Sequence, residues 1–103
     1  MTTLGLDYNG VLTSNPNAFR KLAKRFDKVV VVSSTKQPES VRMGVKRLMV
    51  DWEVVTIPFI EFHMVPQHKL QACREHHIDV FIDDMESVCT LLNKHNILSL
   101  LYK

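Results

Sequence analysis

The sequence predicts an α/β domain, a three-layer sandwich in which a five-stranded, parallel, Rossmann-like sheet lies between helices. Two observations predict it. Short runs of apolar, often β-branched residues alternate along the whole chain with stretches whose apolar residues recur at helical spacing. The apolar runs are continuous, which is typical of strands that are covered on both faces. The 103 residues are expected to form one domain, 1–103.

The first part of the chain predicts two strands and a helix between them. Thr3–Leu6 is a short apolar strand that ends at Asp7. Asn15 and Pro16 predict a helix start, because asparagine caps helix N-termini and proline is favoured at the first helical position. Val29–Val32 is a second, fully buried strand. The apolar face of the first helix is predicted to contain Phe19, Leu22, Ala23 and Phe26.

The second part continues the alternation with three strands and three helices. Pro38 begins the second helix, and Val54–Ile57 is the third strand. The third helix covers about residues 66–77 and is followed by the strand Val80–Ile82. A fourth helix precedes a fifth strand at Ile97–Leu101. The predicted inward faces of these helices are Val41, Val45, Leu48 and Trp52, then Leu70 and Cys73, then Val88, Leu91 and Leu92.

Composition and charge exclude several classes of protein. Apolar residues make up 46% of the chain and charged residues 23%, as in ordinary globular proteins. No apolar run approaches the roughly 20 residues of a membrane span, and no signal peptide pattern is visible. Two cysteines provide no disulfide framework, which favours a cytoplasmic protein. The net charge of +2 permits a phosphorylated ligand without demanding nucleic acid.

Polar residues follow three of the predicted strands. Asp7 follows the first strand, Ser33 and Ser34 follow the second, and Asp83 and Asp84 follow the fourth. In a parallel sheet the carboxyl ends of the strands lie at one edge, where ligands bind. A lysine also opens the third predicted helix. Carboxylates, hydroxyls and a lysine at this edge are typical of a phosphoryl-transfer site.

These residues belong to four motifs that resemble those of a known family. The motifs are Asp7–Thr13 (DYNGVLT), Ser33 after the strand Val29–Val32, Lys69, and Phe81–Asp84 (FIDD). In order and spacing they are similar to the motifs of the haloacid dehalogenase-like (HAD) superfamily of phosphohydrolases, and the resemblance covers nearly the whole chain. The resemblance implies a phosphatase-like hydrolase that requires Mg²⁺.

The resemblance implies catalytic and metal-binding roles for the first and fourth motifs. Asp7 would be the nucleophile, forming an aspartyl-phosphate that water later hydrolyses. Asp7 and Asp83 would also bind Mg²⁺ through their carboxylates, and Asn9 through its backbone carbonyl. Asp84 would either bind Mg²⁺ through water or orient Asp83. Alternatively, Asp84 is only the cap of the following helix.

Four further residues are implied as contacts of the phosphate. Ser33 would donate a hydrogen bond to the transferring phosphoryl group, with Ser34 as the alternative if the strand register differs by one residue. Lys69 would place a positive charge on this group. Gly10 would let the backbone turn sharply and expose an amide to the phosphate. The alternatives are that Ser33, Ser34 and Thr35 are only the polar cap of the helix at Pro38 and that the lysine is a solvated residue of a first helical turn.

Asn9 departs from the family pattern. In phosphatases of this superfamily the residue two positions after the nucleophile is a second aspartate, which acts as general acid and base. An amide has no proton to donate to an alkoxide, and general acid–base catalysis is worth about 10²–10⁴-fold. The hydrolysis of aryl or acyl phosphates, which have good leaving groups, would be slowed least by the absence of a general acid. Asn9 also favours an alternative function, a catalytically impaired relative that binds a phosphorylated ligand or protein partner in a regulatory role.

No cap domain is expected, because the segments that could carry one are short. About eight residues separate Asp7 from the helix start at Pro16, and Pro58–His68 is similarly short. A site without a lid is open to solvent unless a large substrate or a second subunit covers it. The expected partners are therefore a phosphorylated substrate, which could be a macromolecule, or further copies of this chain in a homo-oligomer. Basic stripes on the first two helices are a weaker indication of nucleic acid, since such stripes are most often solvated.

Overall fold

Five β-strands alternate with four α-helices in the computed structural model, which describes residues 1–103. This order confirms the predicted alternation. The strands are β1 (Thr3–Asp7), β2 (Lys28–Thr35), β3 (Glu53–Pro58), β4 (Val80–Asp83) and β5 (Leu98–Leu101). The helices are α1 (Pro16–Ala23), α2 (Pro38–Lys46), α3 (Val65–Glu75) and α4 (Glu86–Lys94). None of the helices is long and apolar enough to cross a membrane.

The strands form one parallel sheet in the order β3-β2-β1-β4-β5. From the central strand β1 the chain moves outwards to β2 and β3, and it then returns to β4 on the opposite side of β1. The connections that leave β1 and β4 therefore run in opposite directions along the sheet. The crevice at such a point is the usual ligand site of open α/β sheets. The fold is a Rossmann-like three-layer sandwich without a cap domain, as predicted.

Each face of the sheet has its own hydrophobic core. Val29 and Val31 of β2 belong to a cluster with residues of α1 and α2, whereas Val30 and Val32 belong to a cluster with residues of α3 and α4. Successive residues of a strand alternate between the two faces, so helices on both sides explain the continuous valine run. The centre of the sheet is therefore apolar, and polar side chains are left to the strand ends.

Some element ends differ from the predicted bounds in ways that concern the polar residues. β2 continues beyond the valine run, so Ser33 and Ser34 lie within the strand, and β4 includes Asp83. α3 begins at Val65 after a 3₁₀ turn at Phe62–Met64. Hydrophobic periodicity detects the buried part of an element, whereas the polar ends are set by backbone hydrogen bonds that it does not detect.

The first helix is shorter than its apolar pattern predicts. α1 ends at Ala23, so Phe26 lies outside the helix, where it packs half-buried against the core. Leu22 is 37% exposed, and its predicted place on the inner face is wrong. With about 100° per residue, Leu22 lies to one side of the face that is centred on Phe19 and Ala23. The buried face of this helix is therefore narrower than the apolar face that the sequence pattern predicts.

Candidate functional site

A buried lysine joins two buried aspartates at the carboxyl edge of the sheet. The Lys69 Nζ donates to Asp7 Oδ1 at 2.9 Å and to Asp83 Oδ2 at 2.7 Å. Lys69 is 4% exposed, Asp7 6% and Asp83 0%. Charged side chains are almost never buried to this extent unless they are paired. The structure therefore brings together three residues of the predicted site, which we call the trio.

Two adjacent strands and one helix position the trio. Asp7 is the last residue of β1 and Asp83 the last residue of β4, and the residues that precede them are register partners. Side chains alternate along a strand, and Phe81 lies in the core under α3, so Asp83 belongs to the same face. Lys69, in the second turn of α3, reaches between the two carboxylates. The alternative interpretation of Lys69 as a solvated residue of a first helical turn is therefore wrong.

The exposed carboxylate of Asp84 lies next to the trio. One oxygen from each of Asp7, Asp83 and Asp84 lies within 4.8 Å of the other two. Gly10 turns the chain after β1 with a φ of +84°, and Asp84 occupies the space that a Cβ of residue 10 would need. The predicted turn at Gly10 is confirmed. Its N–H donates to Thr13 Oγ1 at 3.0 Å, within the same turn.

The start of α4 bonds to the side chain of Asp83, and Asp84 does not cap this helix. Asp83 Oδ1 accepts the Met85 N–H at 2.9 Å, while its other oxygen faces the lysine. No side chain caps α4. The alternative interpretation of Asp84 as a helix cap is therefore wrong, and its carboxylate is available to a ligand.

Burial governs the electrostatics of the trio. Burial raises the pKa of Asp7 to about 7, although Lys69 acts to lower it. Burial also raises the pKa of Asp83, against the lowering effect of the same lysine. Burial lowers the pKa of Lys69, but the two carboxylates raise it more, so the net direction is upward. The lysine stays charged at neutral pH, and the carboxyl groups hold their protons more tightly than exposed ones do.

The acidic cluster has the donor set of a hard divalent cation. Three carboxylates and one ammonium carry a net charge of about −2 when all are ionised, which opposes the charge of one Mg²⁺. Opposite ligands of an octahedral Mg²⁺ lie about 4.2 Å apart, since each bond is about 2.1 Å long. The carboxylate oxygens, within 4.8 Å of one another, need only a small approach. Asp7, Asp83 and Asp84 could therefore hold Mg²⁺ or a similar cation.

Both serines of β2 line a cavity of about 160 Å³ that lies over the trio. By the alternation of the strand, Ser34 lies on the α3 face together with Asp7, whereas Ser33 lies on the other face. The Ser34 Oγ is buried and has no hydrogen-bond partner. Thr35, and neither serine, accepts the Gln37 N–H at 2.9 Å before α2. The capping interpretation is therefore wrong for the two serines, whereas Thr35 does bond the backbone directly before α2.

The cavity also has apolar walls that sequence reasoning missed. Asn9 lines the cavity, as predicted, but so do Phe59, Phe62, Val65 and Met85. The two phenylalanines follow β3 at the carboxyl edge, and this position was the one signal that could have revealed them. They were missed because a phenyl ring neither transfers protons nor coordinates metal ions, and sequence reasoning sought side chains that do.

Comparison with known proteins identifies no relative of this chain. No protein-family model matches it, and no curated protein or solved structure matches it.

Proposed function

We propose that this chain is a Mg²⁺-dependent phosphohydrolase that acts through an aspartyl-phosphate on Asp7, as its resemblance to the haloacid dehalogenase-like superfamily implies. The observation that carries the proposal is the burial of Lys69 between Asp7 and Asp83. Replacing a buried ion cluster by apolar side chains of similar volume is often neutral or stabilising. Apolar residues in place of the trio could stabilise the fold equally well. The presence of the trio therefore favours a role in binding or catalysis.

Mg²⁺ would be held by Asp7, Asp83 and the backbone carbonyl of Asn9, with Asp84 either bound through water or orienting Asp83. When bound, the ion supplies positive charge that stabilises the phosphoryl group in the transition state. Lys69 adds a second positive charge beside Asp7. Together these charges offset the repulsion between the Asp7 carboxylate and the phosphate dianion.

Asp7 carries out the covalent chemistry in this proposal. One Asp7 carboxylate oxygen attacks phosphorus while the bond between phosphorus and the leaving oxygen breaks, and the leaving group departs with the electron pair. Water then attacks the phosphorus of the aspartyl-phosphate. The bond to Asp7 breaks, inorganic phosphate is released, and the proton lost by the water passes to solvent. Asp7 must be ionised to attack. Lys69 opposes the effect of burial on the pKa of Asp7, and a bound Mg²⁺ would oppose it further.

Ser34 is the better of the two serines as a donor to the phosphoryl group. It shares the α3 face with Asp7, and its buried Oγ has no protein partner. A buried hydroxyl without a partner is unfavourable, and a bound phosphate oxygen would accept its hydrogen bond. Ser33 also lines the cavity, but the alternation of the strand assigns its side chain to the other face of the sheet. Without a cap domain, the cavity would admit a phosphate group on a small molecule or on a macromolecule.

Asn9 favours a second candidate function. It lines the cavity at the position where the phosphatases of this superfamily place a general acid. With an amide there, the same site could bind a phosphorylated ligand or protein partner in a regulatory role without turning it over. The two candidates share the trio and differ only in turnover.

Phosphate release from p-nitrophenyl phosphate, with and without Mg²⁺, tests the proposal. p-Nitrophenolate leaves without accepting a proton, so the absence of a general acid at Asn9 should not prevent turnover if Asp7 acts as a nucleophile. We expect Mg²⁺-dependent release by the wild type and none by Asp7→Asn. Asp27→Asn is the matched control, because Asp27 is an exposed aspartate beside the opposite edge of the sheet. Equal release by the wild type and Asp7→Asn would reject the enzyme in favour of the binding protein.

A further inference from the structure

An aromatic rim stands at the mouth of the candidate site. Phe59 and Phe62 both line the cavity that contains Asp7 and Asp83. Phe59 is half-buried, and the Lys36 Nζ lies 5.5 Å from the centre of its ring, within cation–π distance. Phe62 is 67% exposed. Phe62 is therefore the ring that a bound molecule can reach.

The segment after β3 connects Phe62 to the strand and the helix that carry the polar residues of the site. The Phe59 N–H donates to the Thr35 carbonyl at 3.3 Å, which ties the segment after β3 to the end of β2. Phe62 begins the 3₁₀ turn that leads directly into α3, the helix that carries Lys69. The exposed ring and the buried cation thus belong to one continuous helical segment.

Asn9, which takes the place of the general acid in the proposed function, also favours an aromatic ligand. Without a proton donor at this position, alkoxides would leave poorly. Phenols ionise near pH 10, well below alcohols, so a phenolate can leave without first accepting a proton. In an aryl phosphate the aromatic ring is bonded directly to the leaving oxygen. With the phosphoryl group in the cavity of about 160 Å³, the ring would lie at the mouth, beside Phe62.

We propose that the substrates are aryl phosphate monoesters and that Phe62 binds their aromatic ring. This inference rests on the proposed function and narrows its substrate class. The bond between Asp7 oxygen and phosphorus forms as the bond between phosphorus and aryl oxygen breaks, and the phenolate leaves with the electron pair and is later protonated by water. The substrate ring packs against Phe62 in the edge-to-face or offset geometry that aromatic pairs prefer.

The experiment compares phenyl phosphate with acetyl phosphate, which has a good leaving group but no ring. Phe62→Leu removes the ring and keeps an apolar side chain. We expect the ratio of kcat/KM for phenyl phosphate to that for acetyl phosphate to fall about two- to tenfold, mainly through the KM for phenyl phosphate. Phe62→Tyr, which keeps a ring, should retain the ratio. Ile60→Ala is the matched control, because Ile60 is 63% exposed on the same segment and does not line the site cavity.

The outcomes separate this inference from the function on which it rests. A ratio that is unchanged in Phe62→Leu, or that falls equally in Ile60→Ala, overturns the ring-binding role and leaves the phosphohydrolase in place. If neither substrate is turned over in an Asp7-dependent way, the proposed function itself is rejected, and this inference with it. Both substituted side chains are largely exposed, so the variants are expected to fold, which thermal unfolding checks.

Discussion

Aspartates at the two edges of the sheet have different partners. At the amino edge, Asp27 and Asp79 are exposed, and their Oδ2 atoms accept the backbone N–H groups of Thr2 at 2.8 Å and Thr3 at 2.7 Å. These bonds satisfy the backbone where β1 begins, which the fold requires. At the carboxyl edge the aspartates of the trio are buried and accept from a lysine side chain. Asp83 also accepts the Met85 N–H, but no backbone requirement explains the buried lysine. The comparison therefore distinguishes aspartates that only hold the start of β1 from aspartates that are paired with a buried cation.

The cavities at the two edges support the same distinction. A cavity of about 610 Å³ lies at the amino edge, between the segments that lead into β2 and β3, and its charged residues are all exposed. The site cavity is only about 160 Å³, but it contains the buried trio. Convergent buried polar groups with shifted pKa values indicate a functional site better than volume does.

Replacing the lysine of the trio has the largest expected effect on stability. Lys69→Met leaves two carboxylates buried without a cation, and removing one partner of a buried ion pair costs about 3–5 kcal/mol. Without the lysine, the pKa values of Asp7 and Asp83 rise further. The loss should therefore be largest at high pH and should shrink as the carboxyl groups become protonated at lower pH. Urea unfolding at about pH 5 and about pH 8 measures this effect.

Lys28→Met is the matched control for that prediction. Lys28 lies 3.6 Å from Glu53 at the amino side of the sheet, with side-chain exposures of 44% and 43%. An exposed ion pair contributes at most about 1 kcal/mol. Equal losses of unfolding free energy in Lys69→Met and Lys28→Met would contradict the distinction between the two edges.

The stability of the metal-free protein should fall as the pH rises towards neutrality. The pKa of Asp7 is about 7 in the folded protein, above its ordinary value of 3.8, so folding favours the protonated form. This contribution to stability is fully present below about pH 3.8 and is lost as the pH rises to about 7. One pKa unit corresponds to about 1.4 kcal/mol, so the effect is on the order of a few kcal/mol at most. Urea unfolding with a chelator from pH 4 to pH 8 should show this slope. Asp7→Asn should reduce the slope, with the raised pKa of Asp83 contributing the remainder, and Asp27→Asn should keep it.

Restoring a general acid should increase turnover of substrates with poor leaving groups. Asn9→Asp places an ionisable group in the cavity at the position that lacks one. We expect the Mg²⁺-dependent kcat for an alkyl phosphate to rise tenfold or more, because general acid–base catalysis is typically worth about 10²–10⁴-fold. The kcat for p-nitrophenyl phosphate should change less, since its leaving group needs no proton. An absence of gain at every pH would contradict the explanation of Asn9 as a missing acid.

Mg²⁺ should stabilise the protein through the carboxyl edge alone. A ligand at ten times its Kd adds about 1.4 kcal/mol to the free energy of unfolding. We expect Asp83→Asn to lose the resulting rise in Tm. Asp79→Asn should keep this rise and lose at most about 1 kcal/mol of stability from its weakened bond to Thr3. A Tm rise of wild-type size in Asp83→Asn would show that the cation binds elsewhere.

The sequence predicted the sheet well because its signals are local. The valine run of β2 and the apolar periodicity of the helices are visible within a few residues. They were correct except at element ends, at Leu22, and at Leu48 and Trp52, which lie beyond the end of α2. The polar residues at the strand ends were also visible, because a parallel sheet gathers its carboxyl ends at one edge. The choice between Ser33 and Ser34 could not be made, since it depends on which face of the sheet Asp7 occupies.

The sequence by itself determined the order of strands and helices and the identity of the acids, hydroxyls and lysine that end or follow them. Only the tertiary structure decided that Lys69 is buried between Asp7 and Asp83, that the Gly10 amide is bonded to Thr13, and that a phenylalanine rim borders the site. Secondary structure follows from contacts between near neighbours in the chain. Burial, pKa and the walls of a cavity depend on side chains such as residues 7 and 69, which are 62 positions apart and meet only when the sheet and α3 have packed.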